Sequence, residues 1–332
     1  WSAVGGLAAA SGPVLGGLLV EQSWRWVFVV NLPIGLVSLV VGWQVLPHPP
    51  VREREPLPDL VGAGLVTVAV GTLTGALVQA PSWGWSAPAT LGLLLIAVLA
   101  GAAFVRRCAI HRHPLFELAL FSVRGFGIAN AATFVFSIAF SIMLLSNVLW
   151  CQEIWHYSAL RTGLAMMPGP ALVPIVTVLS SRAVHRWGFG PVAVLGSVFF
   201  AASLLWRVGL VSPSPAYAHD LLPSMVLGGI GVGLALGTLI AAGVTSLPTD
   251  RSATGSAMVN AGRQIAAAVG VAILVSLIGV RVSPDSVGSF RIAWLAAAIL
   301  ALAAGVLAIG LHRPDRAAAV VVVRPEPVGS TL

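Results

Sequence analysis

The chain has 332 residues, of which 58% are hydrophobic and only 9% charged, and its mean hydropathy is +0.96. Soluble domains carry about 25% charged residues, so this composition excludes a water-soluble enzyme. The apolar residues occur in blocks of about 20, which is the helix length needed to cross a hydrocarbon core of about 30 Å. The composition therefore indicates an all-α integral membrane protein with several spans.

Positive charge is spread among the loops rather than gathered in one patch. All 18 basic residues are Arg, against 11 acidic residues, and the net charge is +7. Because the Arg residues separate apolar blocks, we interpret them as setting helix orientation and expect no nucleic acid partner. The chain begins at Trp1 and enters an apolar block at once. We therefore expect it to be a piece of a longer protein.

Ten candidate spans follow from the apolar runs and the Gly, Pro and charged residues between them. They cover 1–20, 25–46, 60–79, 88–105, 125–149, 160–181, 190–211, 221–243, 256–280 and 290–311. Twelve Arg residues fall on one side of the membrane, and five fall on the other, namely Arg25, Arg161, Arg207, Arg281 and Arg291. The positive-inside rule places the richer side and the C-terminus in the cytoplasm.

The first span contains the pattern G-P-x-x-G-G, formed by Gly12, Pro13, Gly16 and Gly17. Ala8, Gly12 and Gly16 recur every four residues, so they predict a stripe against which another helix packs closely. Pro13 removes a backbone donor and favours a kink. The alternative is the generic small-residue packing that many membrane helices share.

The second span opens with the pattern W-R-W-x-F-x-x-N-x-P-x-G, whose defining residues are Trp24, Arg25, Trp26, Asn31, Pro33 and Gly35. In series with G-P-x-x-G-G, this pattern resembles the Major Facilitator Superfamily, in particular its fourteen-helix drug:proton antiporter branch. In that branch the first pattern is the antiporter motif of the fifth helix, and the second opens the sixth helix.

The resemblance implies a major facilitator-type helical bundle of which the first four helices are missing. Residues 1–46 would be the last two helices of an N-terminal six-helix bundle, and 47–59 a cytoplasmic linker. Two extra helices (60–105) and a cytoplasmic loop (106–124) would precede the C-terminal six-helix bundle (125–311) and a cytoplasmic tail (312–332). It also implies a monomeric transporter in the bacterial cytoplasmic membrane that uses the proton-motive force and no cofactor.

The loop after the sixth span carries Arg182, Arg186 and Gly188, which resemble a cytoplasmic loop motif of the family. Ser181 and His185 depart from it, because the family usually has Gly and Asp there. Elsewhere, Gly229, Gly233 and Gly237 recur every fourth residue, which predicts close helix packing.

All eleven acidic residues fall in predicted loops or at span ends. A proton-coupled antiporter needs a titratable group facing its cavity, since ionisable groups inside a membrane are costly and kept for function. Either the coupling carboxylate lies in the missing helices, as the resemblance implies, or the protein is not coupled to protons.

Polar residues line one face of the fifth span. Asn130, Thr133, Ser137 and Ser141 are spaced three, four and four residues apart beside Phe134. A polar stripe is unfavourable against lipid, so we expect it to face protein or water. It predicts either a cavity wall or interhelical hydrogen bonds.

Arg263 is predicted to be the one charge more than a turn inside a span, about 10 Å from a helix start near Ser256. Asn260 and Gln264 accompany it. Its side chain either reaches back to the cytoplasmic surface or acts as an inside gate by pairing with the other bundle.

These features predict a secondary exporter of hydrophobic or cationic small molecules in exchange for protons, by alternating access. The alternatives are a dedicated exporter of one biosynthetic product or lipid, and a non-transporting membrane enzyme or receptor subunit. No catalytic set lies at one membrane depth, and we expect no metal site, since Cys108, His111 and His113 lack a fourth ligand.

Overall fold

The computed structural model describes residues 2–45, 59–112, 114–249, 251–279 and 286–311, with side chains from Ser11 onward. The predicted linker 47–59, apart from Asp59, and the predicted tail 312–332 lie outside the described residues, as do His113 and Arg281. The domain boundaries given above therefore stay predictions.

All regular elements of the described residues are helices. The helices are α1 (Ser2–Gln22), α2 (Trp26–Val29), α3 (Asn31–Val45), α4 (Leu60–Trp83), α5 (Pro88–Ile110), α6 (Arg124–Leu149), α7 (Ala159–Met166), α8 (Pro168–Trp187), α9 (Phe189–Leu210), α10 (Tyr217–Asp220), α11 (Leu222–Thr245), α12 (Ser252–Ile278) and α13 (Val287–Ala308). A 3₁₀ turn, Leu118–Ser122, precedes α6, and a π-helical turn, Trp150–Ile154, follows it.

The predicted class of an all-α membrane protein is confirmed. In the described part of the chain, nine helical segments from Trp26 onward are long and apolar enough to cross a membrane. The first predicted span coincides with the 21-residue helix α1. Among the described spans, three join two α-helices: α2 meets α3 at Val30, α7 meets α8 at Met167, and α10 meets α11 at Leu221. Pro168 occupies the first turn of α8.

Helices α6 to α13 pack around one apolar core. Helix α11 packs on α9, α8 and α6, while α13 packs on α9 and α6, and α12 packs on α6. Aromatic rings fill the centre: Phe136 and Phe200 lie 4.9 Å apart between ring centroids, and Trp150 lies 5.2 Å from Phe290 and 5.0 Å from Trp294. These ring contacts join α6, α9 and α13 at the centre of the core.

Glycine permits the close approach of α11 to its neighbours, as the Gly229, Gly233 and Gly237 spacing predicts. A Cβ added at Gly229 would lie 2.5 Å from the Gly169 carbonyl oxygen, and one at Gly233 would lie 2.7 Å from Val176 Cβ. Gly237 is less tightly enclosed, with its nearest atom at 3.5 Å. The predicted packing role is confirmed most strongly at the first two positions.

Helices α4 and α5 form a peripheral antiparallel pair. They pack on each other, and α4 also packs on α12. Only 11% and 17% of their apolar windows are buried, compared with 56% for the segment that contains α6. Their predicted cytoplasmic ends are joined by Asp59, whose carboxylate accepts a hydrogen bond from the Gly62 amide at 2.9 Å and pairs with Arg107 Nε at 2.7 Å.

The Asp59 carboxylate should couple the stability of this pair to pH. Burial raises the pKa of Asp59, but the hydrogen bonds from Gly62 and Arg107 outweigh it and leave the pKa below its ordinary value. The stabilisation that the ionised Asp59 carboxylate provides is therefore fully present above the ordinary pKa of about 3.9. It is lost as pH falls through the lower folded-state pKa.

We expect Asp59→Ala to lower the melting temperature at pH 7, because the helix loses its N-cap and Arg107 loses its partner. Asp59→Asn, which keeps a capping oxygen, should have a melting temperature between those of Asp59→Ala and the wild type. The gap between Asp59→Ala and the wild type should narrow under acid. Differential scanning fluorimetry checks this, and a gap independent of pH would show that the charge contributes nothing.

Candidate functional site

The closest contact between α1 and the core of α6–α13 is made by Gly17 and Gly163. A Cβ added at Gly17 would lie 2.6 Å from the Ala159 carbonyl oxygen, and one at Gly163 would collide with the Pro13 carbonyl oxygen. Helix α1 packs on α7 and α8 along this contact. The backbones therefore meet directly, as they do where small residues allow close helix packing in membranes.

A hydrogen bond closes the end of this contact that is predicted to face outside. The Leu160 amide donates to Glu21 Oε1 at 3.2 Å, and the Arg161 amide donates to Ser158 Oγ at the same distance. Both acceptors satisfy free amides of the first turn of α7. The negative charge of Glu21 also lies at the positive end of the helix dipole. Glu21 thus fastens the end of α1 to the start of α7.

The predicted stripe of Ala8, Gly12 and Gly16 is not the surface that makes this contact. Within the described residues, a Cβ at Gly12 or Gly16 would meet nothing within 4 Å. The packing of another helix against Gly12 and Gly16 therefore stays a prediction. Gly17 is displaced by 100° around the helix from Gly16, and that rotation brings Gly17 to α7.

The residues of the second pattern mainly contact each other. Trp24 packs edge-on against Phe28, with ring centroids 6.0 Å apart, and the Arg25 guanidinium lies 5.3 Å from the Trp24 ring. Asn31 Nδ2 donates to the Val27 carbonyl oxygen at 2.8 Å, which ties α3 to α2. Trp26, Pro33 and Gly35 are exposed. The pattern therefore builds the interrupted entry of this span.

The polar face of α6 is buried against α12. Asn130 and Ser137 are 6% and 5% exposed, and Thr133 and Ser141 are buried as well. A Cβ at Gly262 would lie 3.5 Å from Asn130 Oδ1, and one at Gly270 would lie 2.9 Å from Ser141 Cβ. The Thr133 and Ser137 hydroxyls donate to carbonyl oxygens four residues earlier. Phe134 is half-buried beside Gly262. A cavity role for this face stays a prediction.

Arg263 lies farther from the start of its helix than the sequence predicts. Helix α12 begins at Ser252, four residues before the expected start, so Arg263 is about 16 Å along the helix at 1.5 Å per residue. It is half-buried, while Asn260 and Gln264 are exposed. A guanidinium near the middle of a 27-residue span has a long way to reach an aqueous surface. The choice between an inside gate and snorkelling stays a prediction.

The predicted cytoplasmic loop motif forms the corner between α8 and α9. Arg182 and Arg186 are exposed in the last turns of α8. Gly188 has φ +94° and its amide donates to the Val184 carbonyl oxygen at 2.8 Å, so it ends α8 in a conformation that favours glycine. The motif therefore shapes a tight turn whose Arg side chains face outward.

Arg207, which the sequence places at the outside end of the predicted span 190–211, is a buried part of the core. It is 0% exposed within α9. Its Nε donates to Ser224 Oγ at 3.0 Å and its Nη1 donates to Asn147 Oδ1, while Nη2 has no hydrogen-bond partner among the described residues. The one signal in the sequence was its position four residues inside the predicted span 190–211.

The described acidic residues lie at helix ends, as predicted. Glu117 pairs with Arg251, and Asp220 accepts hydrogen bonds from the Ser212 amide and hydroxyl, each at 3.0 Å. Asp220 is nevertheless buried, because these bonds fold the 211–220 segment over the end of α9. None of the carboxylates that the structure describes occupies the middle of a long helix.

Within the described residues, nine helical segments long and apolar enough to cross a membrane, together with α1, indicate an integral membrane protein. The Major Facilitator Superfamily matches residues 1–271. The chain belongs to this superfamily, so the predicted family is confirmed and the enzyme alternative is set aside.

Named relatives point the same way. The chain is 31% identical over 300 residues to the multidrug resistance protein Stp of Mycobacterium tuberculosis, covering 90% of this chain and 53% of the relative. It is 30% identical over 288 residues to the tetracenomycin C resistance and export protein of Streptomyces glaucescens, covering 85% and 52%. It is 28% identical over 274 residues to the methylenomycin A resistance protein of Bacillus subtilis, covering 82% and 58%. The chain spans about half the length of these curated relatives.

The first prediction from this geometry compares two adjacent glycines. Gly17→Ala should lower the melting temperature, because overpacking a tight contact costs about 1–3 kcal/mol. Gly16→Ala is the matched control, since its Cβ meets nothing within 4 Å among the described residues. Thermal unfolding in detergent measures both. Equal effects of the two substitutions would contradict the assigned contact face.

The second prediction concerns the Arg207 cluster. Asn147→Leu should destabilise the protein by about 1.5–3 kcal/mol, because a buried guanidinium loses an acceptor. Combining it with Arg207→Met should recover stability, since an apolar pair leaves no buried charge. Unfolding in mixed micelles measures each variant. If the loss of stability in the double variant equals the sum of the losses in the two single variants, Asn147 and Arg207 are not coupled.

Proposed function

We propose that this chain is part of a secondary transporter that exports hydrophobic or cationic small molecules, antibiotics among them, in exchange for protons. The single observation that carries the proposal is the direct backbone contact of α1 with α7, formed by Gly17 and Gly163. It joins the helix that carries G-P-x-x-G-G to the core of α6–α13. Two helices that meet through glycine, with few interlocking side chains, can separate and meet again as rigid units.

Alternating access would use this contact as the outer closure. In the predicted orientation, Glu21 and the start of α7 lie at the outside end, so the described conformation would be closed outside. Opening would require α1 and α7 to separate, with loss of the Glu21 hydrogen bond. This is the rocking of helix bundles about a central site by which many secondary transporters work.

Proton-motive force is the proposed energy source. One proton moving down 100 mV supplies about 2.3 kcal/mol, and no cofactor is needed. The carboxylates that the structure describes lie at helix ends, so we place the coupling carboxylate in the further helices of a full-length transporter. We propose a monomer in the bacterial cytoplasmic membrane with its C-terminus in the cytoplasm.

Two relatives favour a narrower substrate range as the second candidate. The proteins similar to this chain from Streptomyces glaucescens and Bacillus subtilis are each named for one antibiotic, whereas Stp is named for several drugs. A dedicated exporter of one biosynthetic product is therefore the alternative.

The test is expression of the full-length transporter in an efflux-deficient bacterium. We expect slower accumulation of a lipophilic cation such as ethidium and raised resistance to several unrelated antibiotics. A protonophore should abolish the efflux while cellular ATP is maintained. Resistance to one compound alone would favour the dedicated exporter, and efflux that follows ATP rather than the proton gradient would contradict the proposed coupling.

Arg263 provides a residue-level prediction for the same assay. If the guanidinium pairs bidentately with a group of the other helix bundle, Arg263→Lys should lower efflux about tenfold or more, because Lys keeps the charge but lacks the planar fork. Membrane insertion and yield should be normal, since Lys also reaches the interface. Arg182→Lys is the matched control, because it makes the same change at an exposed position near the end of α8. Full activity of both Arg263→Lys and Arg263→Ala would leave only a snorkelling role.

A further inference from the structure

The α4–α5 pair carries an open groove at its predicted cytoplasmic end. The groove has a volume of about 460 Å³ and is lined by Val61 and Leu65 of α4 and by Ala102, Ala103, Arg106, Arg107 and Ile110 of α5. This volume is within the range of about 300–1,000 Å³ that is typical of small-molecule sites.

The groove has an apolar floor and a cationic end. From Ala102 to Ile110 it extends for about 12 Å along α5, at 1.5 Å per residue. Ala102 and Ala103 leave room beside Leu65, and their spacing to Arg106 and Arg107 places all four on one helix face. An apolar channel that runs from the bilayer interior to two guanidinium groups is complementary to a lipid tail joined to an anionic headgroup.

Arg106 and Arg107 differ in whether a carboxylate pairs with them. Arg107 is paired through Nε with Asp59, which holds it against the start of α4. Arg106 is exposed, and no carboxylate of the described residues lies within ion-pair distance of it. Among the described residues, no carboxylate therefore compensates the charge of Arg106 at this end of the groove.

The surroundings of the groove argue for lipid as its occupant. Val61 and Ile110 are 57% and 73% exposed, and both helices show far less burial than α6. Basic pockets between membrane helices on the cytoplasmic side bind anionic headgroups. We propose that this groove, defined by the seven lining residues above, binds one anionic phospholipid of the cytoplasmic leaflet, with its phosphate at Arg106 and an acyl chain along Ala102, Ala103 and Leu65.

The proposal is tested by native mass spectrometry of the purified, delipidated chain in detergent. Dioleoyl phosphatidylglycerol and dioleoyl phosphatidylcholine serve as probes with identical acyl chains. We expect one phosphatidylglycerol to bind at least about tenfold more tightly than phosphatidylcholine, which corresponds to about 1.4 kcal/mol.

Four variants locate the binding. Arg106→Gln should reduce phosphatidylglycerol binding to the level of phosphatidylcholine, whereas Arg124→Gln, which removes an exposed charge on the same predicted side outside the groove, should leave it unchanged. Asp59→Asn should strengthen phosphatidylglycerol binding, because it releases Arg107 from its carboxylate. Ala103→Leu should weaken the binding of both lipids, because it fills the apolar floor.

Three results would overturn the proposal. Equal binding of the two lipids to the wild type would remove the headgroup preference. Equal losses in Arg106→Gln and Arg124→Gln would show general attraction to positive charge rather than a site. If the wild type is a dimer and Ala103→Leu dissociates it, the groove binds a second copy of the chain rather than a lipid. Because no transport is measured, these outcomes are independent of the proposed export activity.

Discussion

The architecture depends on the direct backbone contact between α1 and α7. Lipid offers no hydrophobic drive for helix association, so membrane helices associate through close packing and hydrogen bonds. Gly17 and Gly163 supply the packing, and Glu21 supplies a hydrogen bond to the Leu160 amide. Among the described residues, α1 packs on the α6–α13 core through α7 and α8. A surface of this kind is strong enough to be specific, and it contains few interlocking side chains that would prevent separation.

The α6–α13 core behaves differently because its polar groups lie inside it. Arg207 links α9 to Asn147 of α6 and Ser224 of α11, and Trp294 Nε1 donates to Ser146 Oγ at 3.0 Å. Moving these helices apart would leave charged or polar groups without partners in an apolar medium, which is costly. We therefore expect the core to move as one unit. The α4–α5 pair lies at the periphery, where Arg106 is exposed.

Hydropathy was sufficient to predict the spans and the motif series was sufficient to predict the family, because both depend on local residue patterns. Three details required the three-dimensional structure. Choosing Gly17 over Gly16 as the contact residue depends on the rotation of α1 about its axis. Placing Arg207 in the core depends on acceptors contributed by two other helices. The depth of Arg263 depends on where α12 begins, and polar residues such as Ser252 and Thr254 made that start appear to be loop.

The central claim is that α1 and α7 separate and re-form during transport. A Glu21→Cys/Leu160→Cys variant of the full-length transporter, joined by a reducible bifunctional thiol reagent, tests it most directly, since the Glu21 side chain reaches the Leu160 backbone amide and the native Cys108 and Cys151 are buried. Cross-linking with this reagent should stop efflux of a lipophilic cation, and reduction should restore it. Undiminished efflux from the fully cross-linked protein would contradict the account.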